Sequence, residues 1–266
     1  MARNTANPWA AFAALSLLYF LVSAGTFNAL GVVLPAMVRD LGWNWREAGG
    51  GFALLGTACG LSSLAAAGWI RRLGVRATLL AGGSMLAAGF AAFAVTHSVA
   101  LYLAAATLLG IAFSFTTSVV GTHVLTAIFR RRSTVVGGYF TIGALGGVAG
   151  PLAYVAIAPG AGWRTFWWLL AAASVLLSLF AMAASPDRVQ EHPEEDAPPD
   201  QAGPARLAAS LGDWSVRAAL RAPQFWIILG AYTMYMLVNT TAHGFAVEHL
   251  IERGVSSAAA AATLSA

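Results

Sequence analysis

From Trp9 to Val38 the chain runs through thirty residues, WAAFAALSLLYFLVSAGTFNALGVVLPAMV, without one charged side chain. A helix of roughly 20 mostly apolar residues crosses a bilayer. In hydrocarbon the backbone must satisfy its own hydrogen bonds, so a spanning segment of this kind is helical. The rest of the chain agrees. Only 10% of its 266 residues are charged and 58% are hydrophobic, against about 25% charged in a soluble domain. The expected fold class is an all-α membrane protein. The first apolar run is much longer than the apolar core of a secretory signal, so it reads as a span.

Charges and Pro/Gly clusters divide the chain into spans at about 12–38, 48–70, 77–95, 99–129, 135–158, 165–184 and 225–247, with an eighth starting near 256 and ending with the chain. The segment after the sixth span, SPDRVQEHPEEDAPPDQAGPARLAAS, is acidic, Pro-rich and without apolar periodicity, which is the composition of a linker. WSVRAALRAPQFW reads as a short interfacial helix, with Pro223 opening the next span. The domain expectation is a six-helix half over 1–184, a linker over 185–223, and the start of a second half over 224–266, with the rest of that half missing.

All fifteen basic residues are arginines. Alternate loops place eleven on one side (Arg3, Arg71, Arg72, Arg76, Arg130, Arg131, Arg132, Arg188, Arg206, Arg217 and Arg221) and Arg39, Arg46, Arg164 and Arg253 on the other. The positive-inside bias makes the richer side cytoplasmic, together with the N-terminus and the linker, as in an inner membrane protein. The net charge of +4 is therefore a topology signal and not a nucleic-acid surface. Cys59 is the single cysteine and has no disulfide partner in the chain.

A faint repeat links FNALGVVLPAMVRDLGW in span one to VNTTAHGFAVEHLIERGV in span seven. Six spans, a linker and a restart is the pattern of a two-half transporter. At GWIRRLGVR, Arg72, Gly74 and Arg76 resemble the loop between helices two and three of the major facilitator superfamily, although Arg71 stands where that family has an aspartate. IFRRRSTVVGGYF resembles its helix 4–5 turn, and GYFTIGALGGVAGP its antiporter-type fifth helix, without the following glycine pair. GWRTFWW resembles the start of its helix six, while LGWNWREAG, RAPQFWIIL and HGFAVEHLIERGVSSAAAA are similar to the monocarboxylate and oxalate–formate transporter branch. The resemblance implies a six-helix N-terminal bundle plus helix seven and the start of helix eight, a central path lined by helices one, four and seven, and a cytoplasmic gating role for Arg72, Gly74 and Arg76.

Transport needs polar groups at mid-membrane, where they are expensive enough to suggest function. The first six spans carry no acidic residue in their interiors. The substrate-binding candidates are Asn28 and Thr26 in span one, His123 in span four, and Asn239 and His243 in span seven. His123 is either a packing histidine bonded to a carbonyl or the group that handles a proton. Asn28 and Asn239 are either ligand contacts or interhelical glue, worth about 0.6 kcal/mol on average. Gly143, Gly146, Gly147 and Gly150 suit close helix packing, and Pro151 loosens its helix.

No HExxH, paired-Cys, Walker or GxSxG pattern occurs. Ser118 and His123 are five residues apart, off the three-or-four spacing that shares a helix face. No enzyme, metal or cofactor is expected, and coupling would use a proton or a counter-anion. The leading function is alternating-access transport of a small organic anion, monocarboxylate-like, by a protein whose partners are its substrate and the lipid bilayer. Efflux of a drug or metabolite is the alternative within transport, and a non-transporting membrane sensor or partner-binding protein the alternative outside it.

Overall fold

The structure is a computed structural model that describes residues 7–187, 220–256 and 259. Along these residues run α1 (Pro8–Ser23), a π turn (Ala24–Asn28), α2 (Ala29–Leu41), α3 (Trp45–Val95), α4 (Val99–Thr116), α5 (Ser118–Ile128), α6 (Arg132–Ala184) and α7 (Pro223–Glu252). The chain divides into two compact units, Met1–Val189 with Ala242–Ala266, and Gln190–Thr241. In the second, Trp226 Nε1 donates to Leu220 O at 2.9 Å and the Tyr232 and Tyr235 rings lie 6.2 Å apart. The first contains helices α1 to α6 in full.

Four stretches among the described residues are long and apolar enough to cross a membrane: Pro8–Leu41, Trp45–Val95, Val99–Ile128 and Arg132–Ala184. Two of these, 51 and 53 residues long, would measure about 75–80 Å if straight, more than twice the roughly 30 Å hydrocarbon core. Each folds back on a single glycine. Gly74 has φ 87° and ψ 174°, and Gly162 has φ 75° and ψ 170°, a region that side chains with a Cβ avoid. Tyr102 proves the fold-back of α3. Its hydroxyl donates to Ala48 O at 2.8 Å while its ring stacks on Phe93 at 5.5 Å, so both ends of α3 meet one side chain. The two arms of α6 likewise meet the π turn, Gly150 against the Ala24 carbonyl and Leu170 beside Gly25.

The first six expected spans therefore appear as six arms, 8–41, 45–73, 75–95, 99–128, 132–161 and 163–184. The expected loops at 71–76 and 159–164 are helix interrupted by one glycine. One residue suffices for the turn because both flanking arms keep their own hydrogen bonds. Span one holds a π turn and span four a break at Thr117 (φ −120°, ψ −95°), where continuous helices were expected. The eighth span, most of the linker, and Arg188, Arg206 and Arg217 lie outside the described residues.

Local chemistry starts the helices. Asn7 accepts from Trp9 N with Pro8 in the first turn, the N-terminal position where proline suits a helix. Asn44 and Glu47 form a reciprocal capping box, satisfying two amides that the first turn leaves open. Ser98 caps Leu101 N. Between helices, small residues admit backbone: Gly110 faces the Leu55 carbonyl, and Gly82 and Gly83 face Phe115 and Ser178. Close packing of this kind, rather than a hydrophobic drive, is what associates helices in lipid. Phe90 stacks on Trp167 at 5.9 Å at the centre of the core.

Candidate functional site

The first crossing arm changes character at the π turn. There Asn28 Nδ2 donates to Ser23 O at 3.0 Å, and Thr26 Oγ1 donates to Val22 O at 2.8 Å. Thr26 is fully buried with its one proton used, so it offers little to a ligand. Asn28 is half-buried and keeps a second amide proton and its oxygen, since a carboxamide has two donors and an acceptor. π turns inside α-helices are frequent at functional sites.

The fourth crossing arm bends opposite this point. Thr116, Thr117 and Thr122 each donate to the carbonyl four residues back, those of Ala112, Phe113 and Ser118, and Thr126 does so to Thr122. Such back-bonding bends helices. Phe113 joins the two distorted arms, with ring centroids 5.6 Å from Phe27 and 6.1 Å from Tyr19. Tyr19 also lies 4.9 Å from Tyr139 and 5.7 Å from Phe140. The Tyr139 ring is fully buried against Gly121, and its hydroxyl has no hydrogen-bond partner among the described residues. The wall is thus aromatic, with the Asn28 amide at one end. The convergence of these tyrosines and phenylalanines depends on arms far apart in sequence, which no local pattern reveals.

His123 is half-buried, and its ring makes no hydrogen bond among the described residues. It does not share a level with Asn28. Phe129 meets Trp9 at 5.2 Å and Phe12 at 6.4 Å, and Phe113 meets Phe27. This antiparallel register places His123 beside residue 17 or 18, so it lies roughly 15 Å from Asn28 along the helix axis at 1.5 Å per residue. The structure brings Asn28 together with the aromatic wall and separates it from His123. The side chains of Asn239 and His243 lie outside the described residues.

Helix α6 packs its glycines on the first arm. A Cβ at Gly146 would strike the Phe20 carbonyl, at Gly150 the Ala24 carbonyl, and at Gly143 the Tyr19 ring. Pro151 is buried next to them. Gly147 differs, and its neighbour is the Asn28 amide.

At the arginine-rich end, Gly74 sits under the chain leaving α6. Val75 N donates to Asp187 O at 3.0 Å and Arg76 Nε to Ser185 O at 3.1 Å. A Cβ at Gly74 would lie 2.8 Å from Asp187 Oδ1. An acidic side chain thus reaches the loop although Arg71 occupies the expected acidic position. Arg71 and Arg72 are exposed.

The opposite end carries an ion cluster built on Trp163 and Arg164 of the GWRTFWW stretch. Arg164 Nη1 pairs with Asp40 Oδ2 at 2.9 Å, Trp163 Nε1 donates to the same oxygen at 3.2 Å, and the guanidinium lies 4.2 Å from the Trp163 ring centre. Arg164 Nη2 reaches Thr96 O and His97 Nδ1, both at 3.4 Å. A guanidinium only donates, so in this contact the His97 nitrogen is the acceptor. The cluster ties together the ends of three crossing arms. Asp40, His97 and Arg164 fall in loops on the arginine-poor side, and that shared side was the signal available in the sequence. Among the described residues no group of histidine, cysteine and carboxylate side chains could hold a metal ion.

Comparison with known proteins adds the lineage. The sequence model described as Major Facilitator Superfamily matches residues 15–266. No curated protein sequence matches the chain. Among solved structures, a bacterial homolog of the human lysosomal transporter Spinster, in an inward-facing and unoccupied conformation, aligns with a TM-score of 0.70 at 17% identity, over 98% of this chain and 59% of that one. A POT family transporter in complex with 5-aminolevulinic acid aligns at 0.59 and 13% identity, over 89% and 48%. A bacterial homologue of the human drug peptide transporters PepT1 and PepT2 aligns at 0.56 and 17% identity, over 93% and 56%. The chain spans about half to three-fifths of the length of these structures.

Proposed function

The chain belongs to the major facilitator superfamily, and on that premise we propose that it moves a small organic anion, monocarboxylate-like, by alternating access. It is a multi-pass membrane protein of a secondary-transporter family and not an enzyme. In this reading residues 1–184 form one rocking half, 185–223 connect it to the half that starts at 224, and the arginine-rich ends face the cytoplasm.

The observation that carries the reading is the meeting of two distorted arms. The π turn and the Thr117 break face each other through Phe27 and Phe113, with the Asn28 amide half-exposed beside them. The aromatic rings accept the carbon body of a substrate, and the remaining Asn28 proton donates to its carboxylate. His123, about 15 Å away at 1.5 Å per residue, is the titratable group on this wall and takes the role of proton carrier. Ionisable groups inside a membrane mark such relays.

The test is uptake by the full-length protein in proteoliposomes, comparing lactate with lactamide under imposed pH gradients. Lactate uptake that rises with an inward proton gradient, and loses that dependence in His123→Gln, supports the reading. Equal transport of both compounds, unaffected by His123→Gln, overturns it. That second outcome favours the efflux reading instead, which the uncharged aromatic wall and the glycine-packed fifth arm support.

A further inference from the structure

Five glycines of the fifth arm face the first arm: Gly138 touches Phe12 at ordinary contact distance, and three of the other four meet groups that cannot give way. Gly146 and Gly150 lie against backbone carbonyls, and Gly143 lies against the Tyr19 ring, which is held between Phe113, Tyr139 and Phe140. The nearest neighbours of a Cβ at Gly147 are all atoms of one side chain: Asn28 Nδ2 at 3.0 Å, Cγ at 3.1 Å and Oδ1 at 3.2 Å. Those distances are tighter than ordinary van der Waals contact, so the amide would have to move by a few tenths of an ångström. That movement strains the bond that ties its Nδ2 to Ser23 O at 3.0 Å.

The π turn explains why the amide is there. Ser23 O lies five residues before Asn28, in the turn where the regular four-residue ladder is interrupted. The carboxamide answers that carbonyl from one side, and the bare Cα of Gly147 supports it from the other. Its orientation is therefore set jointly by the π turn and by the missing side chain at 147.

We propose that Gly147 is a positioning residue, the seat that turns the free edge of the Asn28 amide toward the transport path. Gly147 touches no substrate itself. The proposal rests on the reading of Asn28 as a substrate contact, and it predicts a separation within the glycine stripe. Gly143, Gly146 and Gly150 set the distance between the arms, whereas Gly147 sets the aim of one polar group.

Two measurements test this. In lipid nanodiscs with ¹⁵N-asparagine, the Asn28 side-chain signal, assigned by its loss in Asn28→Gln, moves in Gly147→Ala and stays in place in Gly137→Ala, where a Cβ meets nothing within 4 Å. In full-length proteoliposomes, Gly147→Ala raises the KM for lactate roughly 3- to 10-fold, the effect of one misplaced hydrogen bond, with kcat nearly unchanged. The Asn28→Ala protein shows no further rise when Gly147→Ala is added. An Asn28 signal unmoved by Gly147→Ala overturns the proposal, and so does an equal KM rise in both backgrounds. If Asn28→Ala leaves lactate transport intact or lactate is not carried, the reading of Asn28 as a contact is what fails, and the nuclear resonance result decides the positioning alone.

Discussion

The packing of the fifth arm on the first makes a sharp prediction for Gly146→Ala. A Cβ there falls on the Phe20 carbonyl, closer than real Cβ atoms approach, with Phe20 Cα at 3.0 Å behind it. No rotamer relieves a clash with backbone, so the arms must part by about 1 Å. A radial gap of that size forfeits a quarter to a half of each dispersion contact along the seam, and overpacking of this kind costs about 1–3 kcal/mol. Helix propensity works in the opposite direction, since alanine gains about 1 kcal/mol over glycine in a helix interior. Gly137→Ala isolates that gain, because its Cβ enters open space. The expected order of stability is Gly137→Ala above the parent, and Gly146→Ala and Gly150→Ala below it. At roughly 2–4 °C per kcal/mol for a chain of this size, the gap between Gly137→Ala and Gly146→Ala should be several degrees. Thermal melting of the purified protein in detergent, followed by size-exclusion fluorescence, reads it. If Gly146→Ala melts at or above Gly137→Ala, the first and fifth arms do not touch through backbone and the site geometry built on that contact is wrong.

Gly74→Ala combines left-handed strain with a Cβ 2.8 Å from Asp187 Oδ1, whereas Gly162→Ala carries strain in open space. Melting should place both below the parent, by about 1–3 kcal/mol for the backbone alone, with Gly74→Ala the lower. Asp40→Asn breaks a pair whose side chains are 50% and 36% exposed. Its cost should therefore stay at or below about 1 kcal/mol and fade in high salt, as screening of exposed charges requires; a loss that persists in 1 M salt would show the cluster to be shielded from water. In a Cys59→Ala background, a cysteine at exposed His97 should react with impermeant thiol reagents in intact cells. One at exposed Ser133 should resist them, and the reverse pattern would invert the orientation. Ser185, on the same side as Ser133, is fully buried and unsuited to the test.

The helical crossings and their turning points were legible because lipid imposes a length and charge a boundary. Arg71, Arg72 and Arg76 mark one turn, and Pro159 with Arg164 the other. The helix starts after Asn7, Asn44 and Ser98 rest on local capping chemistry, although the spans read from the sequence began at 12, 48 and 99. The π turn was not legible. Ala24–Asn28 carries no signature in its residues, and what occupies its surroundings comes from Phe90, Gly150 and Leu170, all distant in sequence. Thr117 gave a weak hint through the Thr-rich run 116–126, whose hydroxyls compete for carbonyls. Asn28 and His123 were legible as polar residues in apolar arms. Their separation along the path was not, because it depends on the register that Phe129 and Phe113 set against the first arm.

The contacts also locate where movement is possible. At one end Arg164 joins the ends of three arms, through Asp40, Thr96 and His97. At the other, Val75 and Arg76 hold the chain leaving α6. Between them, glycines press the fifth arm onto the backbone of the first. Interfaces packed this tightly shift between discrete arrangements and do not flex continuously. On the proposed reading, a bundle tied at both ends and along its seam would move as one body during alternating access. A substrate bound to it can bias that motion only through differential contacts. In that reading the contacts come from the polar groups the packing leaves partly open, which on this wall are the Asn28 amide at the π turn and, farther along, His123. If Asn28 contacts substrate as proposed, the aim of that one amide, and with it the empty side of Gly147, would bear on transport more than its modest energy suggests.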